Sequence, residues 1–571
     1  MRQVSVVERI HVARLVASEG LGRLRHGLVH PLRYVTGLRA ASPDRLLIAP
    51  QDIRTADPTV ANDIYAGYFS FAGRMENTHG CVPFEIPPPS PAWAAGLAGF
   101  GWLRHLRAAD TPLSGANARA LVDDWMTVAE RGGDPVNWDP RVTTRRLLSW
   151  LSQSPLILEG ADRAFYRRFM KSLGRHGAAL QAALRQGLAG EDRLVALIAL
   201  AELGLCADGL AKLSKRATRL LAQELSRQIL PDGGHVGRNP QTIIDLLLDL
   251  LPLRQTYAAR GQAAPQQLLN AIDRMLPMLR LFRMSDGSLA LFNGMGVTAA
   301  HQLATVLAHD EARAAAMLNA PYSGYQRIEG ADACVVMDTG IPPPAEYSGR
   351  AHASCLAFEM TTQGQRLVVN CGSAVDANPD LREATRSTAA HSTLVVADTS
   401  SCQFASGPGM REWIAGWIVG GPAKVSVTRE ADATGTALAA AHDGYARRFG
   451  VKHQRSISLS RDGASLRGED RLTAAAGGEP PETPYAIRFH LHPMSHVAHT
   501  SDGKAVVITL ANGARWLFQS SVAPVEIEES IFFASANRAK GAEQLVIHAN
   551  AAEASAVAWS FERLHADEHN E

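Results

Sequence analysis

The sequence of 571 residues predicts a multidomain α and β chain with two architectures in series. Paired helices wound in a ring or solenoid are expected over residues 1–320, and a large antiparallel β-sandwich over residues 321–571. Three observations carry this prediction. The chain is too long for a single hydrophobic core. Up to about residue 318, apolar residues recur at the three- and four-residue spacing of helices. From Tyr325 onward they fall instead in short alternating runs separated by turn signals, and the composition shifts near Pro321.

Taken in order, the opening stretch MRQVSVVERIHVARLVASEG reads as an amphipathic helix. Glu8, Arg9 and Arg14 interrupt any apolar run of a signal peptide, so a cytoplasmic chain is expected. Helices follow over Ala118–Ala129, Arg141–Leu151 and Ala161–Leu184, with breaks at Cys81–Pro91, Gly132–Pro135 and Pro231–Gly234. Arg193–Leu205 and Thr242–Leu253 are almost wholly apolar, which predicts helices buried on most sides. The strands predicted next are Ala333–Met337, Cys355–Met360, Leu367–Asn370, Thr393–Val396, Trp413–Val419 and Ala423–Thr428. Lys452–Leu459, Tyr485–Leu491, Lys504–Leu510, Arg515–Gln519 and Gln544–His548 complete the set. Turn signals such as Asp462-Gly463 and Asn512-Gly513 stand between them. The polar tail, His565–Glu571, is expected to fray.

Hydrophobic residues make up 46% and charged residues 20%, with a formal net charge of +1. No global field points to nucleic acid or to a membrane surface. No run approaches the length of a transmembrane helix. The six cysteines form no CxxC pair and read as buried free thiols. A phosphate-binding loop, a strand–GxGxxG–helix unit and a GxSxG elbow are all missing, so neither a nucleotide cofactor nor the commonest serine hydrolase arrangement is expected.

Chemistry concentrates in two places. Tyr347–His391 carries a hairpin pattern, with His352 before its first run, Asn370 and Cys371 at the end of its second, and His391 opening the next strand. His352, Asn370 and His391 could hold a zinc ion with an open position. The same histidines equally suit loop hydrogen bonds at a sandwich edge. Pro231–Pro240, PDGGHVGRNP, presents His235 and Arg238 on an interhelical loop before a helix opened by Asn239-Pro240. Trp138, Arg141 and Arg145 offer a stacking face and guanidinium forks to a sugar acid, although tryptophan at helical spacing is also ordinary core. His490 and His492 alternate on one strand and read as a structural pair. Arg455 and Gly468-Glu469-Asp470 read as charge pairs at a sheet edge.

These segments together resemble the heparinase II/III family of polysaccharide lyases, above all its alphaproteobacterial branch. IYAGYFSFAGR, SPAWAAGLAGFGWLRHLRA and NWDPRVTTRRLLSW are similar to that branch's helical domain. DGGHVGRNP resembles the family's DGGH-x-x-x-(S/N)-P segment, and AHASCLAFEM, RLVVNCG and RSTAAHSTLVV resemble its C-terminal domain. The resemblance implies an (α/α) toroid followed by a β-sandwich, and β-elimination at a uronic acid of an acidic polysaccharide. It places zinc ligands at His352, Asn370 and His391, with Asn where Asp is usual. It also implies the periplasm or cell envelope, where such polymers are met.

The chain departs from the family at Thr242-Ile243, where Tyr-His is common, at Glu191-Asp192, where Asn-His is common, and at Arg350, where a His stands in zinc-bearing members. Tyr347 and Tyr322 are the nearest phenols to fill the gap. The site expected on this basis comprises His235, Arg238, Tyr347 and Arg350 for catalysis, with Trp138, Arg141 and Arg145 for substrate. A glycan-binding protein without catalysis remains an alternative. So does a glycoside hydrolase, which needs facing carboxylates such as Glu191, Asp192 or Asp232.

Overall fold

The computed structural model describes residues 12–17, 20, 42–131, 134–310, 315–374, 379–406, 409–535 and 539–564. Of the amphipathic opening stretch, residues 12–17 are helical and set Val12, Leu15 and Val16 against Ile414 and its neighbours. The rest of that stretch, apart from residue 20, and the tail from residue 565 lie outside the described residues.

The helical half contains α1 (Val60–Tyr65), α2 (Pro91–Ala98), α3 (Leu103–Ala109), α4 (Pro112–Glu130), α5 (Pro140–Ser152) and α6 (Ser154–Leu158). It continues with α7 (Arg163–Arg185), α8 (Gly190–Cys206), α9 (Ala211–Gln228), α10 (Pro240–Ala259), α11 (Gln266–Phe282) and α12 (Ala300–Ala308). Their starts follow from local chemistry. Asp139 accepts from the Arg141 and Val142 amides at α5, and Asn239 accepts from Gln241 at α10, each with Pro at the first helical position. Burial then sorts inner from outer helices. α8 and α10 bury nearly every side chain beyond their first turns, whereas α9 buries one stripe through Ala217, Leu221 and Leu225. α8 packs against both α5 and α10, and α7, α9 and α11 back them on the outside. That arrangement is an (α/α) toroid. A small antiparallel hairpin, Tyr68–Phe71 with Arg74–Asn77, interrupts the helices.

The second half holds two large antiparallel sheets and a small pair, Gln403–Phe404 with Ile418–Gly420. In the first, 526–532, 540–550, 484–491, 365–369, 358–362, 333–338, 325–329 and 319–320 lie side by side, with 394–396 added to 484–491. In the second the order is 425–431, 435–442, 451–460, 465–474, 556–564, 515–520, 505–509 and 496–499. The first sheet is sandwiched. Its Cys334, Val336 and Val369 join the toroid core, while Val335, Met337 and Leu367 join the core between the sheets. Ala333–Asp338 is therefore buried on both faces, and Val451–Ser460, on the outer sheet, alternates buried and exposed. Among the described residues no helix is long and apolar enough to cross a membrane.

The hairpin after Tyr347 forms as read, from Phe358–Thr362 and Gln365–Val369. Gln363 and Gly364 turn it with φ of +48° and +71°, a conformation that glycine adopts freely. Its first strand starts later than the apolar run suggests, because Leu356 at φ +63° belongs to the loop before it. Trp413–Val419 is only partly strand, a 3₁₀ turn to Ile414 followed by Ile418–Gly420. Arg455 and Asp470 are not at a sheet edge. They face each other across central strands with 1% and 0% exposure. The Arg455 guanidinium donates to both Asp470 oxygens at 2.8 Å, and also to the Leu356 and Ser392 carbonyls. His453 and the Trp559 indole complete the shell around Asp470, and these partners hold its carboxyl far below the ordinary 3.8.

Removing one side of this pair leaves a buried charge alone. Asp470→Ala should cost about 3–5 kcal/mol of unfolding free energy, read as a lower denaturant midpoint. A change within about 0.5 kcal/mol would show the pair to be incidental.

Candidate functional site

The toroid meets the sandwich at a buried polar joint made by the PDGGHVGRNP loop. The Asp232 carboxylate accepts from the Tyr322 and Ser323 amides at 2.8 and 2.7 Å, and from the Ser323 hydroxyl at 2.6 Å. Arg238, at φ +62°, reaches across to Asp338 at 2.5 Å. It also donates to the carbonyls of Ser323, Gly324 and Ile341, and its guanidinium lies over the Tyr325 ring. The structure thus places Arg238 in the joint, with its donors taken by protein, and not on the cleft wall. Asp232 is likewise a joint residue.

His235 is also enclosed, at 3% exposure. Its Nε2 pairs with Gln228 Oε1 at 3.0 Å and its Nδ1 accepts from the Gly237 amide at 3.1 Å. Gln228 in turn donates to Glu224 and to the Gly190 carbonyl. Burial lowers the imidazole from 6.5 to about 4. With both nitrogens occupied, His235 positions the loop under the cleft and is not a free base.

What faces the cleft is a set of groups at the first turns of the inner helices. Arg141 of α5 meets Asp192 of α8 at 2.6 Å, and Thr242 of α10 donates to Glu191 of α8 at 3.4 Å. Three helix N-termini therefore converge, and the α8 terminus has no side-chain cap. Converging N-termini favour a negatively charged ligand. Above them, on the 3₁₀ turn Ala345–Arg350 of the sandwich half, stand Tyr347 and Arg350. The Tyr347 ring lies 6.0 Å from the His235 ring, edge to face, and a side chain at Gly190 would touch it. Burial, Glu224 and Glu346 raise its phenol above 10.0, so it keeps its proton at neutral pH. Burial also raises the Glu191 carboxyl, against the opposing charge of Arg350. Arg350 is exposed, and no ion pair engages its guanidinium among the described residues. Next to it the buried Asn239 Nδ2 has no partner, close to where a side chain at Gly294 would sit.

The other expected substrate residues divide. Arg145 is bound to Asp249 at 2.6 Å on the cleft floor. Trp138 packs on the Trp125 and His176 rings as one wall of a cage around the buried Arg146, and its half-buried ring is chiefly core.

His352 and His391 come together, with Nδ1 of the first 3.0 Å from Nε2 of the second. His391 Nδ1 lies 2.7 Å from the Ser387 carbonyl and so carries the hydrogen, leaving its Nε2 as a lone pair. Burial lowers both rings, His391 to about 4, so both are neutral at pH 7. His352 Nε2 is buried without a partner. With its hydrogen on Nδ1, His352 donates to His391 and leaves only its own Nε2 lone pair unmatched; with the hydrogen on Nε2, two lone pairs face each other across 3.0 Å, which suits a cation between the rings. Asn370 supplies a neutral amide whose Oδ1 already accepts from the Ser392 amide at 3.0 Å, while Nδ2 has no partner. Cys371 points elsewhere, toward His490. His490 is bonded on both nitrogens, to Ser530 and the Ala389 carbonyl, which is a structural role.

Sequence alone marks Asn239 as a helix cap, Thr242 as a departure from the family pattern, and Glu191 as a departure and a candidate hydrolase carboxylate, without assigning them to this site. Their signal is positional: Asn239 and Thr242 open α10 directly after the DGGH loop, and Glu191 lies in the first turn of α8.

A family model described as heparinase II/III-like, C-terminal, matches residues 312–560. The chain is 33% identical over 498 residues to FtsZ-localized protein C of Caulobacter vibrioides, covering 86% of this chain and 85% of that one. Its fold is similar to a crystal structure of heparinase III, with a TM-score of 0.66 at 13% identity, over 86% of this chain and 80% of that one. It is also similar to heparan sulfate lyase HepC from Pedobacter heparinus, with a TM-score of 0.62 at 16% identity, over 98% and 91%.

The lowered His235 value gives a pH prediction. The folded state resists protonating this ring, so its stability contribution is whole above 6.5 and is lost as the pH falls toward 4. His235→Gln should therefore lose less stability than wild type across that window in denaturant titrations. Equal losses would contradict the neutral, enclosed ring.

Proposed function

Since the chain belongs to the heparinase II/III family and has a polysaccharide lyase-like fold, we propose that it cleaves an acidic, uronate-containing glycan by β-elimination in the cleft between toroid and sandwich. The observation that carries this reading is the Tyr347 phenol, protonated and free of hydrogen bonds among the described residues, set over the converging N-termini of the inner helices. In this reading Arg350, the α8 amides and Asn239 Nδ2 neutralise the uronate carboxylate, which makes the C5 proton acidic enough to leave. Glu191 takes that proton, and the C5–H electrons form the C4–C5 double bond. The C4–O4 bond breaks and Tyr347 donates its proton to O4. Proton return from Glu191 to Tyr347, through Thr242 or solvent, restores the starting state.

Two further assignments belong to the same reading. We propose that His352 and His391, with the Asn370 oxygen, hold a zinc ion. When bound, it would act as a positive tie between the two loops behind the cleft. The histidines would serve it as neutral ligands, and Ser387 would fix the His391 tautomer. We also propose that the chain works in the cytoplasm.

A second reading has its own support. His235 and Arg238 are spent on structure, Thr242 stands where a phenol is usual, and a 33% identical relative is named for its localisation with FtsZ. On that reading the cleft binds an acidic glycan without breaking it, and the protein serves at a division-associated assembly.

Incubation with a panel of uronate polysaccharides should produce the ultraviolet absorbance of an unsaturated uronate. Tyr347→Phe and Glu191→Gln should each lower kcat by at least about a hundredfold, while Arg350→Ala, which removes a group that acidifies the C5 proton, should lower kcat as well as raise KM. Binding without absorbance would favour the second reading, and new reducing ends without absorbance would point to hydrolysis. For the metal, purified protein should carry zinc that His391→Ala loses. Less than about a tenth of a zinc per chain would remove the ligand assignment.

A further inference from the structure

Within the toroid lies a partly open pocket of about 410 Å³, within the size range of small-molecule sites. The second halves of α5 and α8, the middle of α10, residues 51–54 and the 95–104 segment wall it.

We propose that this cavity is a second binding site, for an uncharged sugar of monosaccharide to disaccharide size. Its three arginines, Arg54, Arg104 and Arg145, balance its three aspartates, Asp52, Asp245 and Asp249, and each has a partner; Asp245 accepts from Gln241. Asp249 sits between Arg54 and Arg145, 2.6 Å from each, and Asp52 lies 3.9 Å from Arg54. Arg104 is occupied by the Thr55 and Gly101 carbonyls. An incoming carboxylate or ammonium would have to displace one of these contacts or add an unbalanced charge to the pocket.

Glu202 is the exception. Its side chain faces the cavity at 3% exposure, and its carboxyl has no hydrogen-bond partner among the described residues. Burial, with Asp249 and Asp52 near, raises it from 4.5 to about 8, so at neutral pH it is a carboxylic acid with one donor and one acceptor. That pattern suits a hydroxyl, and leaving it unmatched is costly. Leu148, Leu248 and Pro252 supply an apolar wall for the C–H face of a sugar ring. Hydroxyl-matching groups beside an apolar wall, with no charge to spare, describe a neutral sugar. The proposal is independent of the elimination chemistry in the cleft.

The test is calorimetric titration of the full chain with glucose, N-acetylglucosamine, cellobiose, glucuronate and glucosamine, alongside two variants checked for folding by circular dichroism. A neutral sugar should bind. Glu202→Gln, which keeps a donor and an acceptor, should bind it within about threefold of wild type, and Glu202→Leu should weaken it about tenfold or more. The proposal is overturned if no neutral sugar binds, or if glucuronate or glucosamine binds more tightly. It is equally overturned if Glu202→Leu, folded, binds the neutral sugar as wild type does.

Discussion

The contact on which the rest of this molecule depends is the Arg238–Asp338 pair. Arg238 belongs to the toroid and Asp338 to the first sheet, and both are almost fully buried. Such a pair is held because most of its other donors and lone pairs are also used. Arg238 takes three sandwich carbonyls. Asp338 also accepts from the Gly340 amide and the Ser354 hydroxyl. Because Gly340 and Ser354 bracket the turn that carries Tyr347 and Arg350, one ion pair locates both cleft walls. A shift of the joint would separate Tyr347 and Arg350 from the α8 and α10 N-termini, whatever those residues do chemically.

Around this joint the charge is arranged in layers. The cleft is rimmed by helix N-termini and by guanidiniums that remain accessible, a surface suited to an anionic polymer. One layer down, Arg54 and Arg145 are balanced by Asp52 and Asp249, which leaves a polar cavity without net demand. Behind the cleft the histidine pair is neutral and short of a hydrogen bond. Polar groups that the sequence shows as one class thus become three environments, and burial makes the difference. Glu191 stands at the rim while Glu202 is enclosed by helices, although both belong to α8.

Periodicity made the architecture legible. The inner helices are nearly continuous apolar runs, the outer ones carry a stripe, and the sheet strands alternate, so the order of helices then strands could be read. Strand positions failed where composition misleads. Gly435–His442, GTALAAAH, is rich in alanine and is not among the predicted strands, yet it pairs on both sides in the second sheet. The site was half legible. The pairing of His352 with His391 and the placement of Tyr347 near His235 follow the hairpin and loop pattern. Residue type could not show that Arg238, a loop arginine beside a histidine, would turn inward at positive φ. Nor could it show that Asp470 would meet Arg455 in the middle of a sheet. Those outcomes depend on which strand or domain packs opposite, and that information is not local.

The central claim is that the interdomain cleft, organised by the Arg238–Asp338 joint, is where an acidic glycan sits. A crystal structure of the chain with a uronate oligosaccharide tests it most directly. The account predicts a uronate carboxylate between Arg350 and the α8 N-terminus, with a glycosidic oxygen within hydrogen-bond reach of the Tyr347 hydroxyl. An oligosaccharide bound elsewhere, with the Tyr347 hydroxyl left in solvent, would contradict it.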